Sequence, residues 1–457
     1  MSMKKFKLGF ELEMFTLNKK GEVVSKGDVI IKRIRKDHPE IWTVHECGRH
    51  MIEFGVKPST SFLTFKRITN HLKKAMKSAE KNKVLLFPFA TYPGNFNPEF
   101  NDSIWYNVKQ RILGNKFKMA GLCNGYHVHL SLPSGVFNSK NMLRKSKNKT
   151  YKDPKKRLSG KNYQEKYKEK ESVLINGHNL LTAADPVLTT FMQSSPFIQG
   201  KHLAKDSRML FYRGGKNLGF NGLYSKFQIF GGLQSYIETL SDVIKLIERR
   251  YDLWKSEIIK QGFSADLIRK HGRKLDYAWN PVKINKKGTL EQRGMDMNLP
   301  SYALGVSTLL ENAYLRMRKE NLTAIPCDEG MKEPFKVKGN LLLIPPENYV
   351  RNELQYKSAI KGIEDPEMYN YCDCFVKFAM QRTNKKTKKL TFRIYEILRT
   401  RKTVADQLLD QAIQEGVNIN EKVPDKIAKH LAVHWSNKLK EDIQFTERLL
   451  ESYKNTT

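Results

Sequence analysis

Four short stretches of the chain place carboxylate, imidazole or guanidinium groups at every second residue. GFELEMF (9–15) carries Glu11 and Glu13, HMIEF (50–54) carries Glu53, YHVHLSL (126–132) carries His127 and His129, and TLEQR (289–293) carries Glu291 and Arg293. In a β-strand residues i and i+2 point to one face, so Glu11 and Glu13 project together, about 7 Å apart. Phe10, Leu12 and Met14 take the other face, and the remaining stretches alternate in the same way. Read singly, each is a strand with an apolar face in the core and a polar face in water. If the polar faces meet, the chemistry is specific. Clustered carboxylates repel one another and resist desolvation unless cations neutralise them. Hard divalent ions, Mg²⁺ or Mn²⁺, take such oxygen ligands and tolerate an imidazole. Arginine beside them can clamp a phosphoryl group in transfer. HECGRH (45–50), with Glu46, reads as an edge of the same site.

The elements that must position these groups can be read from periodicity. Residues 6–17, 50–56, 84–90, 126–132 and 288–297 read as strands, with NKKGE (18–22) as a turn. Helices are expected over 60–81, 171–196, 232–261, 404–416 and 424–453. The Lys- and Asn-rich segment 138–170 reads as an exposed basic insertion or mobile loop. Residues 1–330 are expected to form the catalytic domain and 331–457 a mostly helical C-terminal region.

The net charge is +34, from 81 Lys and Arg against 47 Asp and Glu. Contact with polyanions is therefore open, and a nucleic-acid binder using 140–170 and 382–402 is one reading. A metal-dependent hydrolase using the acidic face is another. Five cysteines in a chain of 457 residues are no disulfide framework and suit a reducing cytoplasm. No run of 18 apolar residues predicts a membrane span. The chain has no G-x-x-x-x-G-K-[ST] phosphate loop, no G-x-S-x-G elbow and no cysteine in a nucleophile setting. RGGKNLGFNG (213–222) is glycine-rich and reads as a turn or a phosphate-lining loop.

The ordered set GFELEMF, MIEFGVKPS, NGYHVHLSLP, SSPFIQG, DSRMLFYR and GTLEQRGMD, spread over residues 8–300, resembles carboxylate-amine ligases of the glutamate–cysteine ligase type. The resemblance implies an α+β, glutamine-synthetase-like fold. A curved, largely antiparallel sheet would form a metal and ATP cavity with helices packed outside. It implies metal ligands at Glu11, Glu13, Glu46, Glu53, His127 and Glu291 for two or three Mg²⁺ or Mn²⁺ ions. Arg208 and Arg293 take catalytic roles, and Arg208, Arg213, Arg293 and Asp296 bind substrate or nucleotide. The implied reaction is ATP-dependent amide formation through an acyl phosphate, with glutamate and cysteine as the first substrate pair, as in glutathione biosynthesis. Another amino acid or amine remains an alternative. The middle residue of the late Glu-x-Arg strand is commonly apolar in such ligases, but here it is Gln292.

Overall fold

The computed structural model describes residues 6–133, 136, 161–264, 266–267 and 274–454, with the backbone alone over 161–170. Seven strands form the main sheet: β1 (Leu8–Asn18), β2 (Trp42–His45), β3 (Met51–Gly55), β4 (Val84–Phe87), β5 (Gly125–Ser131), β6 (Val282–Asn285) and β7 (Thr289–Asp296). Their order is β2-β3-β1-β5-β7-β6, with β4 alongside the second half of β1. Every neighbouring pair is antiparallel.

The alternation read from the sequence decides how the sheet sits. Leu8, Phe10, Leu12 and Met14 are fully or almost fully buried on one face. Helix α1 (Ser61–Lys81) covers that face, and the Phe10 and Phe65 rings lie 4.9 Å apart. The α1 helix starts where Thr60 accepts a hydrogen bond from the Leu63 amide, satisfying one of the first-turn donors. Helix α2 (Ile104–Leu113) lies before β5, and α3 (Lys161–Met192) packs along β7. Helix α4 (Ser207–Tyr212) is capped by the Asp206 carboxylate, and α5 (Leu240–Lys260) opens on a reciprocal Thr239–Asp242 capping box.

Helix α6 (Pro300–Lys319) runs through the centre, in contact with α1, α3, α7 (Pro366–Met380) and the C-terminal α9 (Asp425–Lys454). Tyr126 of β5 and Ser307 of α6 share a hydrogen bond of 2.7 Å. Helix α8 (Val404–Gln414) and α9 match the sequence expectation closely. The strands Thr323–Pro326, Val337–Lys338 and Leu341–Ile344 make a separate three-stranded sheet, which takes in the apolar stretch after residue 340.

Three boundaries differ from the sequence reading. The helix expected from 171 begins at Lys161, inside the segment expected as loop; the rest of that segment, 138–160, lies outside the described residues. The helix expected from 232 starts at Leu240, because Thr239 caps it and the preceding residues run as bends. The strand over 84–90 ends at Phe87, just before Pro88. No described helix is long and apolar enough to cross a membrane.

One continuous apolar core extends from Leu8 to Leu450. A second, separate cluster joins Val108 of α2 to Leu113, Phe117, Tyr224, Phe230, Trp254 and Tyr277. The polar face of the main sheet looks towards this second cluster.

Candidate active site

Strand register brings the acidic and imidazole side chains into one row. Glu13 of β1 is paired with Glu53 of β3, and Glu11 of β1 with His127 of β5. One step along, His129 of β5 is paired with Glu291 of β7, which is paired in turn with Lys283 of β6. This polar face is not in water. Glu13 is 6% exposed, Glu53 7%, His127 2%, His129 4% and Glu291 1%.

Three groups of ligand atoms lie within 4.8 Å of one another: Glu11–Glu53–His127, Glu11–His129–Glu291 and Glu13–Glu46–Glu53. The Glu11 carboxylate is 3.2 Å from His127 Nδ1 and 3.2 Å from His129 Nε2. The Lys287 ammonium, from the β6–β7 turn, is 2.8 Å from the same carboxylate. Glu13 accepts a 2.5 Å hydrogen bond from the Gly125 amide. Glu291 accepts from Asn285 at 2.5 Å and lies 3.5 Å from Lys283 and 3.4 Å from Arg293.

The two ends of the row differ electrostatically. Burial opposes ionisation of Glu11, but the hydrogen bonds to His127 and His129 outweigh it and hold the carboxyl well below its usual range. Glu291 is likewise buried, yet Lys283 and Arg293 keep it low. At the other end, burial and the neighbouring Glu46 push Glu13 up to about 8. Burial, Glu46 and Glu11 raise Glu53 well above the carboxylate range. Among the described residues, no Lys or Arg forms an ion pair with Glu13, Glu46 or Glu53. Burial and Arg293 push His127 down, which keeps a neutral imidazole available as a ligand. Two buried carboxyls, Glu13 and Glu53, raised by burial and by the neighbouring Glu46, with a neutral imidazole beside them, fit a hard divalent cation.

Two cavities meet this row, one at each end. A cavity of about 220 Å³ is walled by Glu13, Glu46, His127, Arg208 and Arg293 on the sheet side. Its far wall is aromatic and cationic, with Tyr106, Lys109, Tyr212, Tyr224 and Trp279. An open cleft of about 570 Å³ adjoins Glu11 and His129 and is rimmed by Trp42, Lys57 and Lys287. Gly125 lies against Glu13, His127 and Arg208. A Cβ there would lie 2.5 Å from Arg208 Nη2 and 2.8 Å from His127 Nε2, so the glycine gives both side chains room.

No protein-family model and no curated protein sequence matches the chain. Solved structures do. A glutamate–cysteine ligase from Francisella tularensis, determined in complex with AMP, aligns with 99% of this chain and 98% of its own at 13% identity, with a TM-score of 0.52. A bifunctional glutathione synthetase from Pasteurella multocida aligns with 96% of this chain at 13% identity, with a TM-score of 0.53. The chain spans about half of that enzyme's length, 53%. The chain has a carboxylate-amine ligase fold.

Within this ligase fold, the expected site residues fall into two sets. Glu11, Glu13, Glu46, Glu53, His127, Glu291, Arg208 and Arg293 all border the carboxylate row or the smaller cavity. Arg208 Nη1 donates to the Gly294 carbonyl at 3.1 Å, while its Nε has no partner among the described residues. Arg213 and Asp296 stand behind the wall. Arg213 makes a two-pronged ion pair with the fully buried Asp185, at 2.5 and 3.0 Å. Asp296 accepts from the Ser194 amide at 3.0 Å and the Ser195 hydroxyl at 2.6 Å. HECGRH divides as well. Glu46 and Cys47 face the cavity, whereas His45 pairs with Asp28 at 2.7 Å and His50 is buried on the Gly121 carbonyl at 2.8 Å. In the glycine-rich 213–222 loop, Asn217 binds the Arg351 carbonyl at 3.0 Å.

Several further groups border the carboxylate row or line the two openings. Lys283 and Lys287 belong to the hairpin that ends in Glu291, and cross-strand pairing from the Lys-Lys-Gly turn points to Lys283. Lys109, Tyr106, Tyr212, Tyr224 and Trp279 come from helices and loops whose spacing shares no period with the strands.

Proposed function

We propose that this chain is an ATP-dependent carboxylate-amine ligase whose donor is glutamate and whose acceptor is cysteine. The observation that carries the reading is the Glu13–Glu46–Glu53 trio, with Glu13 and Glu53 buried and Glu46 half-buried, in no ion pair with any described Lys or Arg and continuous with a cavity lined by Arg208 and Arg293. Glu11, Glu13, Glu46, Glu53, His127 and Glu291 would hold two or three Mg²⁺ ions. Such ions, when bound, neutralise phosphate oxygens and orient them. The chain's own contribution is positioning and charge. The open cleft with Trp42, Lys57 and Lys287 offers an aromatic face and cations to a nucleotide. The enclosed cavity takes the amino acid, with its γ-carboxylate towards Glu13 and Arg293.

In the first step an oxygen of that γ-carboxylate forms a bond to the γ-phosphorus of ATP, and the bond to ADP breaks. In the second, the neutral amine of the acceptor attacks the acyl carbon, the C–N bond forms, the C–O bond to phosphate breaks, and the departing phosphate takes the proton that the nitrogen sheds. Arg208 and Arg293 face the region where charge collects on the transferred group, and each donates from a fixed position. No protein nucleophile enters either step. The chemistry is assigned to 1–330, with 331–457 supporting it.

The test is ADP release with glutamate and cysteine in the presence of Mg²⁺. Activity is expected to need both amino acids and to fall about 10²–10³-fold in Arg293→Ala, as when one fixed donor to the transition state is removed. Glu11→Gln is expected to weaken Mg²⁺-nucleotide binding. If wild type and Glu11→Gln bind nucleotide alike, and no amino-acid pair stimulates ADP release, the ligase reading is wrong.

A further inference from the structure

The cavity wall opposite the carboxylate row holds a cation that neither the fold nor the proposed reaction requires. Lys109 projects from α2, a helix of the second hydrophobic cluster rather than of the sheet. Its ammonium lies 4.2 Å from the centre of the Trp279 ring and 5.9 Å from that of Tyr106. Among the described residues it makes no ion pair and no hydrogen bond, although Glu13 and Glu46 line the same cavity. A half-buried ammonium held against ring faces has lost much of its hydration, and the charge of Glu46 reaches it without closing into an ion pair. A second donor in the same cavity is also unmet: Arg208 is 6% exposed and its Nε has no partner among the described residues. The cavity therefore holds two donors with unmet demand for an anion, Lys109 and Arg208.

We propose that Lys109 is a specificity-determining residue that binds the α-carboxylate of the donor amino acid. The proposal rests on the ligase reading and adds what that reading leaves open, namely how the enclosed cavity selects a substrate with a second, non-reacting carboxylate. The geometry divides the work. Arg208 and Arg293 lie beside the carboxylate row, where the γ-carboxylate is activated. Lys109, on the far wall, takes the opposite end of the molecule, and Trp279 and Tyr106 fix the direction of its ammonium. A monocarboxylate of the same shape would leave the ammonium buried and unpaired, which the site then disfavours.

The probes are L-glutamate and L-isoglutamine, its α-carboxamide, titrated calorimetrically into the full chain with Mg²⁺ and a non-hydrolysable ATP analogue. Wild type is expected to bind glutamate about 10- to 100-fold more tightly than isoglutamine. Lys109→Met should lose that preference by weakening glutamate alone, and Lys109→Arg should restore most of it. Nucleotide affinity should be unchanged in both variants, and it also reports that they are folded. The proposal is overturned if folded Lys109→Met binds glutamate like wild type, if wild type does not separate the two probes, or if wild type binds no glutamate. Failure of the ligase reading shows separately, as nucleotide binding that ignores both Mg²⁺ and Glu11→Gln.

Discussion

Glu13 and Glu53 face each other across β1 and β3, and both carboxyls are raised, Glu13 to about 8. A carboxyl raised in the folded state stabilises the protein fully below its unfolded value, about 4.3, and loses that contribution as pH climbs through the folded value. Without divalent ion, the melting temperature is therefore expected to fall between pH 5 and pH 8. Added Mg²⁺ should raise it more at pH 8 than at pH 5, since an ion present at about a hundredfold excess over its Kd stabilises the fold by about 2.7 kcal/mol and binds best to ionised carboxylates. Glu13→Gln should flatten the metal-free profile, and a melting series over pH with and without Mg²⁺ reads all three. At this scale much was legible in the sequence. Glu11, Glu53, His127 and Glu291 stand out because a strand repeats every two residues and an acid in such a run breaks the apolar pattern. Lys109 and Trp279 do not stand out, because they meet only in space.

Between residue and fold lies the network behind β7. Gln292 points away from the carboxylate row and donates to Asp185 at 2.8 Å. Asp185 also receives Arg213 and, at 3.1 Å, Gln355. Arg213 and Arg208 both donate to the carbonyl of Gly294, so the strand carrying Glu291 and Arg293 is held from behind by one polar cluster. Glutamine therefore has a structural task here: an apolar side chain at 292 would leave Asp185 short of a donor. Asp185→Ala strands a buried guanidinium and is expected to cost about 3–5 kcal/mol, measured by urea unfolding. The elements themselves were legible where one face is wet. Helix α6 has no periodic signature in the sequence, because residues 300–310 are buried on every side, which erases the helical period.

On the scale of the molecule, the C-terminal helices share the core of the sheet. Leu431, Trp435, Leu439 and Ile443 of α9 are buried, and the Trp435 ring lies 4.9 Å from that of Phe89. Leu439→Ala should destabilise the whole chain by about 2–5 kcal/mol in a single unfolding transition, with nucleotide affinity unchanged, as differential scanning calorimetry and titration would report. A first transition confined to the C-terminal helices would contradict this shared core. The sequence division at 330 marks where recognisable motifs stop, and packing follows a different rule, since apolar faces find partners regardless of distance along the chain.

Glu11 and Glu13 sit side by side on one strand face yet border different openings, the broad cleft and the enclosed cavity. The carboxylate row is thus a partition with a door on each side. Under the proposed function, a nucleotide arriving by the cleft does not stand in the path of an amino acid arriving by the cavity. Neither has to enter first, and spent nucleotide can leave without the new amide leaving ahead of it.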